Sequence, residues 1–266
     1  MTDTHRFEHP AMNTELVVRF RGVSRSRAAS AAGACFAEID RLEDCLSRYR
    51  DGSDIARVNR LQAGESMLIA AETHDCLHRA AEAFARTGGL FDISLGRRYE
   101  YQKRHGEGPA MPDTGRLLID PERPRISCES PGRVLDLGGI GKGFALDRVA
   151  AWLSGEGFDD VLVSAGPSTH LAIGGGSWPL AVADGETPIE LHATALSVSG
   201  DAVQGAHVVH PLDASMTPVW CRLWLIYPEA ALADAFSTAA LFLSADELKA
   251  LCEENAGLQI VRTEAP

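Results

Sequence analysis

Apolar positions recur along this chain with two periods, and the changes between them mark its elements. Residues 14–22 alternate between apolar and polar, which predicts a strand. Across residues 26–49, Ala29, Ala32, Cys35, Phe36, Ile39, Leu42 and Leu46 recur at helical spacing and predict a long amphipathic helix. Asp51-Gly52-Ser53 interrupts it, and Ser53 then stands where an N-cap would open a short helix through Asn59. Residues 67–70 read as a short extended stretch. Residues 72–87 read as a second amphipathic helix (Leu77, Ala80, Ala81, Phe84), stopped by Gly88-Gly89. Residues 97–125, rich in Arg, Gly and Pro, read as a surface excursion.

The second half opens with a predicted strand over 133–137, a glycine-rich turn, and a helix that runs to Gly155. Short apolar runs at 160–165, 171–173, 178–183, 189–192, 195–198, 208–209 and 221–227 predict successive strands. Helical spacing returns at 231–243 and 245–256, and residues 258–261 predict a closing strand. Runs of strands with segregated helices predict the α+β class, with antiparallel sheets and packed helices, rather than alternating parallel units. The 266 residues suit a single domain over 1–266, or two closely packed lobes, with no internal repeat.

Composition narrows the function. The chain is 45% hydrophobic and 23% charged, which is ordinary for a soluble globular protein. A net charge of -12 argues against a nucleic-acid binder. It also means that an anionic ligand would need a divalent cation or local Lys/Arg to offset the field. Six cysteines form no C-x-x-C pair and lie mostly in apolar surroundings, which predicts buried free thiols rather than disulfides or zinc ligands. No stretch reaches the roughly 18 apolar residues of a membrane span. Residues 1–6 carry no apolar leader core, so the expectation is a cytoplasmic protein as written, or a periplasmic one if a leader has been removed.

Candidate chemistry concentrates in Asp136-Leu137-Gly138-Gly139-Ile140-Gly141-Lys142-Gly143, at the start of a predicted helix. Gly lets backbone approach a ligand closely, Lys142 supplies a cation for a phosphate, and helix-start amides add to an anion site. Asp136 could accept from a ligand hydroxyl or amine. Taken alone, the run serves equally well as a plain strand-to-helix turn, and its spacing matches neither a P-loop nor G-x-G-x-x-G. Far downstream, Asp234 and Thr238 stand four apart, on one face of a predicted helix. Both are hard oxygen ligands suited to Mg²⁺ near phosphates, although such a pair commonly serves as a cap or a solvated face. Three further runs carry polar or aromatic residues in apolar settings: Leu46-Ser47-Arg48-Tyr49 with Ser53-Asp54-Ile55…Asn59, Leu90-Phe91-Asp92-Ile93, and His207-Val208-Val209-His210-Pro211.

In this order, over residues 12–261, these five motifs resemble the ApbE family of Mg²⁺-dependent FAD:protein FMN transferases. The resemblance implies an ApbE-like (T-fold-like) architecture. It implies transfer of FMN from FAD to a Thr or Ser hydroxyl of an acceptor flavoprotein, with release of AMP. It further implies that Met12, Tyr49, Leu90, Phe91, Asp92, Asp136, Lys142 and Val209 line the FAD site. The Gly139 carbonyl, Asp234 and Thr238 would hold Mg²⁺, and His207 would act as base toward the acceptor hydroxyl. Three departures from the family pattern stand out. Asn13 replaces a Gly, Ala165-Gly166-Pro167-Ser168 lacks an acidic residue, and His210-Pro211-Leu212-Asp213-Ala214 replaces Asp-Pro-Arg-Thr-Gly. They bear on flavin transfer more than on FAD or Mg²⁺ binding. An FAD pyrophosphatase, a non-catalytic FAD binder and a structural protein without ligand are the alternative readings.

Overall fold

A computed structural model describes residues 3–105, 114–181, 187–200, 209–211, 213 and 216–265. Its strands are β1 His5–Ala11, β2 Thr14–Phe20, β3 Ser66–Leu68, β4 Arg116–Ile119, β5 Arg125–Ser130, β6 Asp160–Ala165, β7 Thr169–Gly174, β8 Trp178–Leu180, β9 Ile189–Leu191, β10 Ala195–Gly200, β11 Arg222–Tyr227 and β12 Gln259–Glu264. The helices are α1 Arg25–Leu46, α2 Asp54–Val58, α3 Ala71–Arg86, α4 Gly96–His105, α5 Gly141–Gly155, α6 Ala230–Ala240 and α7 Ala245–Glu254.

Seven strands form one sheet in the order β1-β2-β6-β7-β10-β11-β12, with every neighbouring pair antiparallel. The fold is α+β, as the segregated pattern predicts. One sheet face packs on α1, α3, α5 and α6 around Phe20, Ile39, Leu77, Leu146 and Phe236, all fully buried. The β8–β9 hairpin covers part of the other face through Trp178, Leu180 and Leu191, which meet Leu162 and Trp224. Central strand β6 is therefore apolar on both sides: Val161 and Val163 enter the large core, Leu162 the small one. Sheet strands buried on both faces read as continuous apolar runs rather than alternating ones.

Several predicted boundaries differ. The first helix stops at Leu46, because Ser47 turns to an extended conformation, and the tip that follows carries Tyr49. Edge strand β1 has no counterpart in the predicted pattern. The surface excursion contains nearly all of α4 and all of β4 and ends where β5 begins, and β3, β5 and β4 pair as a separate small sheet. Residues 133–137 make only an isolated bridge, Leu95 to Val134. Val134 and Asp136 face residues 93–96 by single backbone bonds, Gly96 N to Val134 O at 3.0 Å and Asp136 N to Ile93 O at 2.7 Å. All six cysteines are free, as expected, but only Cys35, Cys76 and Cys128 are buried; Cys45, Cys221 and Cys252 are half-buried. No helix among the described residues is long and apolar enough to cross a membrane.

Candidate functional site

One cleft of about 1000 Å³ gathers all but one of the expected site residues. Met12 comes from the β1–β2 turn, Tyr49 from the tip after α1, and Leu90, Phe91 and Asp92 from the loop after α3. Asp136 and Gly139 come from the glycine turn, Lys142 from the start of α5, Asp234 and Thr238 from α6, and Val209 from the connection between β10 and β11. His207 lies outside the described residues.

Internal hydrogen bonds fix the glycine turn. Asp136 Oδ1 accepts from Gly138 N at 2.8 Å, and Gly141 N donates to Leu137 O at 2.7 Å. Asn59 clamps the stretch from α2's end: its Nδ2 donates to Leu135 O at 2.9 Å, and its Oδ1 accepts from Leu135 N at 2.7 Å. This two-way bond is the physical reason for Asn at the end of the Ser53…Asn59 run. Helix α5 then begins without a side-chain cap, and Gly141 and Lys142 line the cleft at its N-terminus. The positive end of the helix dipole favours an anion there.

Asp234 is the buried charge at the deep end, only 4% exposed. Among the described residues its polar partners stand at 3.4 Å or more. Gly143 N stands 3.4 Å from Oδ2, Thr169 and Ser197 hydroxyls stand 3.5 and 3.4 Å from Oδ1, and Lys142 Nζ lies 3.8 Å away. A buried carboxylate that the described residues hold only by such long contacts retains coordinating capacity, which fits a cation. The Thr238 hydroxyl donates to the Asp234 carbonyl at 3.1 Å and stands 3.4 Å from Ser199 Oγ, which leaves it a lone pair for a ligand. Gly139 sits against it: a Cβ there would lie 3.3 Å from Thr238 Oγ1 and 3.1 Å from the Phe91 ring. No cluster of three or more His, Cys, Asp or Glu side chains suited to a metal occurs among the described residues. A cation here would take one carboxylate and neutral oxygens, the hard donor set of Mg²⁺ that keeps waters and phosphate oxygens as further ligands.

The sequence reading missed Arg48, although it stands between two of the residues singled out. Its side chain is 5% exposed. Nε is 3.2 Å from Asp136 Oδ2, Nη2 is 3.1 Å from Glu100, and Nη1 donates to the Gly96 carbonyl at 3.2 Å. Its guanidinium lies 4.8 Å from the Tyr49 ring centre and 5.6 Å from that of Tyr99. Arg48 thus ties α1, α4 and the glycine turn together at the open end. An Arg just past a helix end, beside a motif aromatic, was the available signal.

The three departures from the family pattern have local explanations. Met12 and Asn13 form a two-residue hairpin turn with φ of 52° and 57°. Both central positions of such a turn need positive φ, and Asn tolerates it best after Gly. Pro167 sits in the loop joining β6 and β7, where Ala165 pairs with Thr169 and no ladder bond is required of residue 167. His210 is a packing residue: it is buried, its ring meets Phe242 edge-on at 4.9 Å, and its Nδ1 accepts from Asp213 N at 3.0 Å. Burial lowers its pKa, which keeps it in the neutral form that accepts this bond.

Comparison with known proteins agrees with the geometry. The ApbE family model matches residues 12–261. An FAD:protein FMN transferase of Vibrio cholerae is 25% identical over 272 aligned residues, covering 85% of this chain and 79% of the relative. One from Salmonella typhimurium is 24% identical, covering 89% and 77%. The apo crystal structure of the Pseudomonas stutzeri flavinyl transferase ApbE is similar in fold, with a TM-score of 0.81 at 22% identity, covering 99% of this chain and 96% of that one. The ApbE protein of Thermotoga maritima gives 0.79 at 23%, covering 99% and 97%. With a family model matched from the β1–β2 turn to the last strand and a shared fold, this chain belongs to the ApbE family.

Proposed function

We propose that this protein transfers FMN from FAD to a Thr or Ser hydroxyl of an acceptor protein, in a reaction that requires Mg²⁺. The observation that carries this reading is the cleft itself. It sets a lysine and a helix start beside a buried carboxylate that the described residues hold only by long contacts, with an exposed aromatic at its mouth. That arrangement suits a flat ring attached to a pyrophosphate. Tyr49, Leu90, Phe91, Asp92, Val209 and Met12 would hold the flavin part of FAD, and Asp136 would accept from a ligand donor.

In the reaction, the acceptor hydroxyl oxygen attacks the phosphorus on the FMN side of the pyrophosphate. The bond from that phosphorus to the bridging oxygen breaks, and AMP leaves with this oxygen. His207 would take the hydroxyl proton, as a neutral imidazole can near pH 7. Lys142 would stabilise negative charge on the phosphate oxygens. Asp234, Thr238 and the Gly139 carbonyl would hold Mg²⁺, which supplies positive charge against the pyrophosphate in a protein of net charge -12. The chain's own contribution is mostly positioning and electrostatics.

The test is incubation with FAD and a flavoprotein domain bearing an acceptor Thr, with and without Mg²⁺, following acceptor mass and AMP. An FMN-sized mass gain that needs Mg²⁺ and is lost in Asp234→Ala is the expected outcome. Free FMN and AMP formed without any acceptor would instead mark a pyrophosphatase. FAD binding with no product, while an authentic transferase modifies the same acceptor, would mark a non-catalytic binder.

A further inference from the structure

Helices α5 and α6 touch at Gly143 and Ala230. A Cβ on Gly143 would lie 2.1 Å from the Ala230 carbonyl oxygen, so this close approach depends on glycine. One turn further along α5, Asp147 reaches the same end of α6. Its Oδ1 accepts from Ala230 N and its Oδ2 from Ala231 N, both at 2.8 Å. Glu229, at the N-cap position of α6, makes no side-chain capping bond. The cap of α6 is therefore supplied from another helix. The first N–H groups of a helix have no partner within it, and a carboxylate there also complements the dipole.

The consequence reaches the cleft. Asp234 follows Ala230 by four residues and Thr238 by eight, on one rigid helix. A single hydrogen bond would leave α6 free to pivot, whereas two bonds to one carboxylate fix both its height and its rotation against α5. A one-residue slip would shift Asp234 by about 1.5 Å along the axis and turn it by about 100°. Either displacement would separate it from Gly139 and Lys142, which α5 and its preceding turn hold in place. The Arg79–Glu229 ion pair, at 3.1 Å, joins α3 to the same corner.

We infer that Asp147 is a positioning residue for the cation site: it sets the register of α6 against α5, and through it the placement of Asp234 and Thr238. The inference rests on the metal reading of the proposed function. Its test is Mn²⁺ titration followed by electron paramagnetic resonance in the wild type, Asp147→Asn, Asp234→Ala and Leu251→Ala. Asn keeps the shape but offers one acceptor and turns an NH₂ toward the second amide. Leu251, buried in α7 outside the cleft, controls for lost stability alone.

The expected result is Mn²⁺ affinity about tenfold or more weaker in Asp147→Asn. The Mg²⁺ concentration for half-maximal flavin transfer should rise by a similar factor, while the rate at saturating Mg²⁺ stays close to wild type. Leu251→Ala should lose thermal stability with its Mn²⁺ affinity intact. Wild-type affinity in Asp147→Asn would overturn the inference and leave the metal reading standing, as would an equal loss in Leu251→Ala. Equal Mn²⁺ binding by wild type and Asp234→Ala would overturn the cation site and the inference together. If Asp147→Asn does not fold, Asp147→Glu keeps both acceptors on a longer arm. It should weaken Mn²⁺ binding in the same direction, and unchanged affinity there would overturn the inference.

Discussion

Tyr49 is 70% exposed, yet it stands at the mouth of the cleft with the Arg48 guanidinium against its ring. Burial contributes little to its side chain, so Tyr49→Ala should change unfolding free energy by less than about 0.5 kcal/mol in urea titration. FAD affinity, followed by flavin fluorescence, should fall by about tenfold, the worth of one aromatic stacking contact. An unchanged FAD affinity would remove Tyr49 from the site. Gly143 behaves in the opposite way. Gly143→Ala drives a methyl into the Ala230 carbonyl, and backbone cannot yield as a flexible side chain can. The expected cost is about 1–3 kcal/mol in urea unfolding, together with weaker Mn²⁺ binding as α6 is pushed away. The Asn13 and His210 departures show why a missing family residue need not break a site. Asn13 serves a positive φ at the rim of the cleft, and His210 fills a packed position outside its lining.

At the scale of elements, the short helix α2 does more than its five residues suggest. Ser53 caps it by accepting from Ala56 N at 3.0 Å, and its hydroxyl also donates to the Ser47 carbonyl, closing the tip that carries Tyr49. Ser53→Ala should therefore cost about 1 kcal/mol of stability and loosen that tip. Urea unfolding checks the first effect, and an increased KM for FAD checks the second. Asn59, at the other end of α2, holds the glycine turn. The elements that the sequence hid have a common cause. β1 is an edge strand rich in polar residues and containing Pro10, which an edge tolerates because one side of its backbone has no partner. Helix α4 reads Gly-Arg-Arg-Tyr-Glu-Tyr-Gln-Lys-Arg-His, with no apolar stripe to give it a period. Conversely, 133–137 reads as a short apolar strand entering the glycine turn, but its backbone is held by Asn59 and residues 93–96 rather than by a ladder.

At the scale of the whole molecule, the sheet makes one pH dependence visible. His170 on β7 bonds Ser164 Oγ at 2.9 Å, and burial, with the nearby Arg19 charge, lowers its pKa to about 4 from 6.5. The unfolded chain binds this proton below pH 6.5, and the folded protein does so only near 4, so the neutral ring's contribution is complete above 6.5 and is lost as pH falls through this window. Relative to His170→Gln, the wild type should lose up to about 3 kcal/mol between these pH values, measured by urea unfolding at successive pH. A difference independent of pH would refute the depressed pKa. The sequence by itself determined the α+β class, the main helices and central strands, and five motifs in family order, because periodicity and motif spacing are local and survive without coordinates. It also marked Met12, Tyr49, Phe91, Asp136, Lys142, Asp234 and Thr238 individually. Only the tertiary structure decided that these residues share one cleft, since Lys142 and Asp234 meet through the packing of α5 on α6 and not through any nearness in the chain. The same long-range packing decided the roles of Arg48, Asn59 and Asp147, whose partners are dozens of residues away and leave no periodic trace.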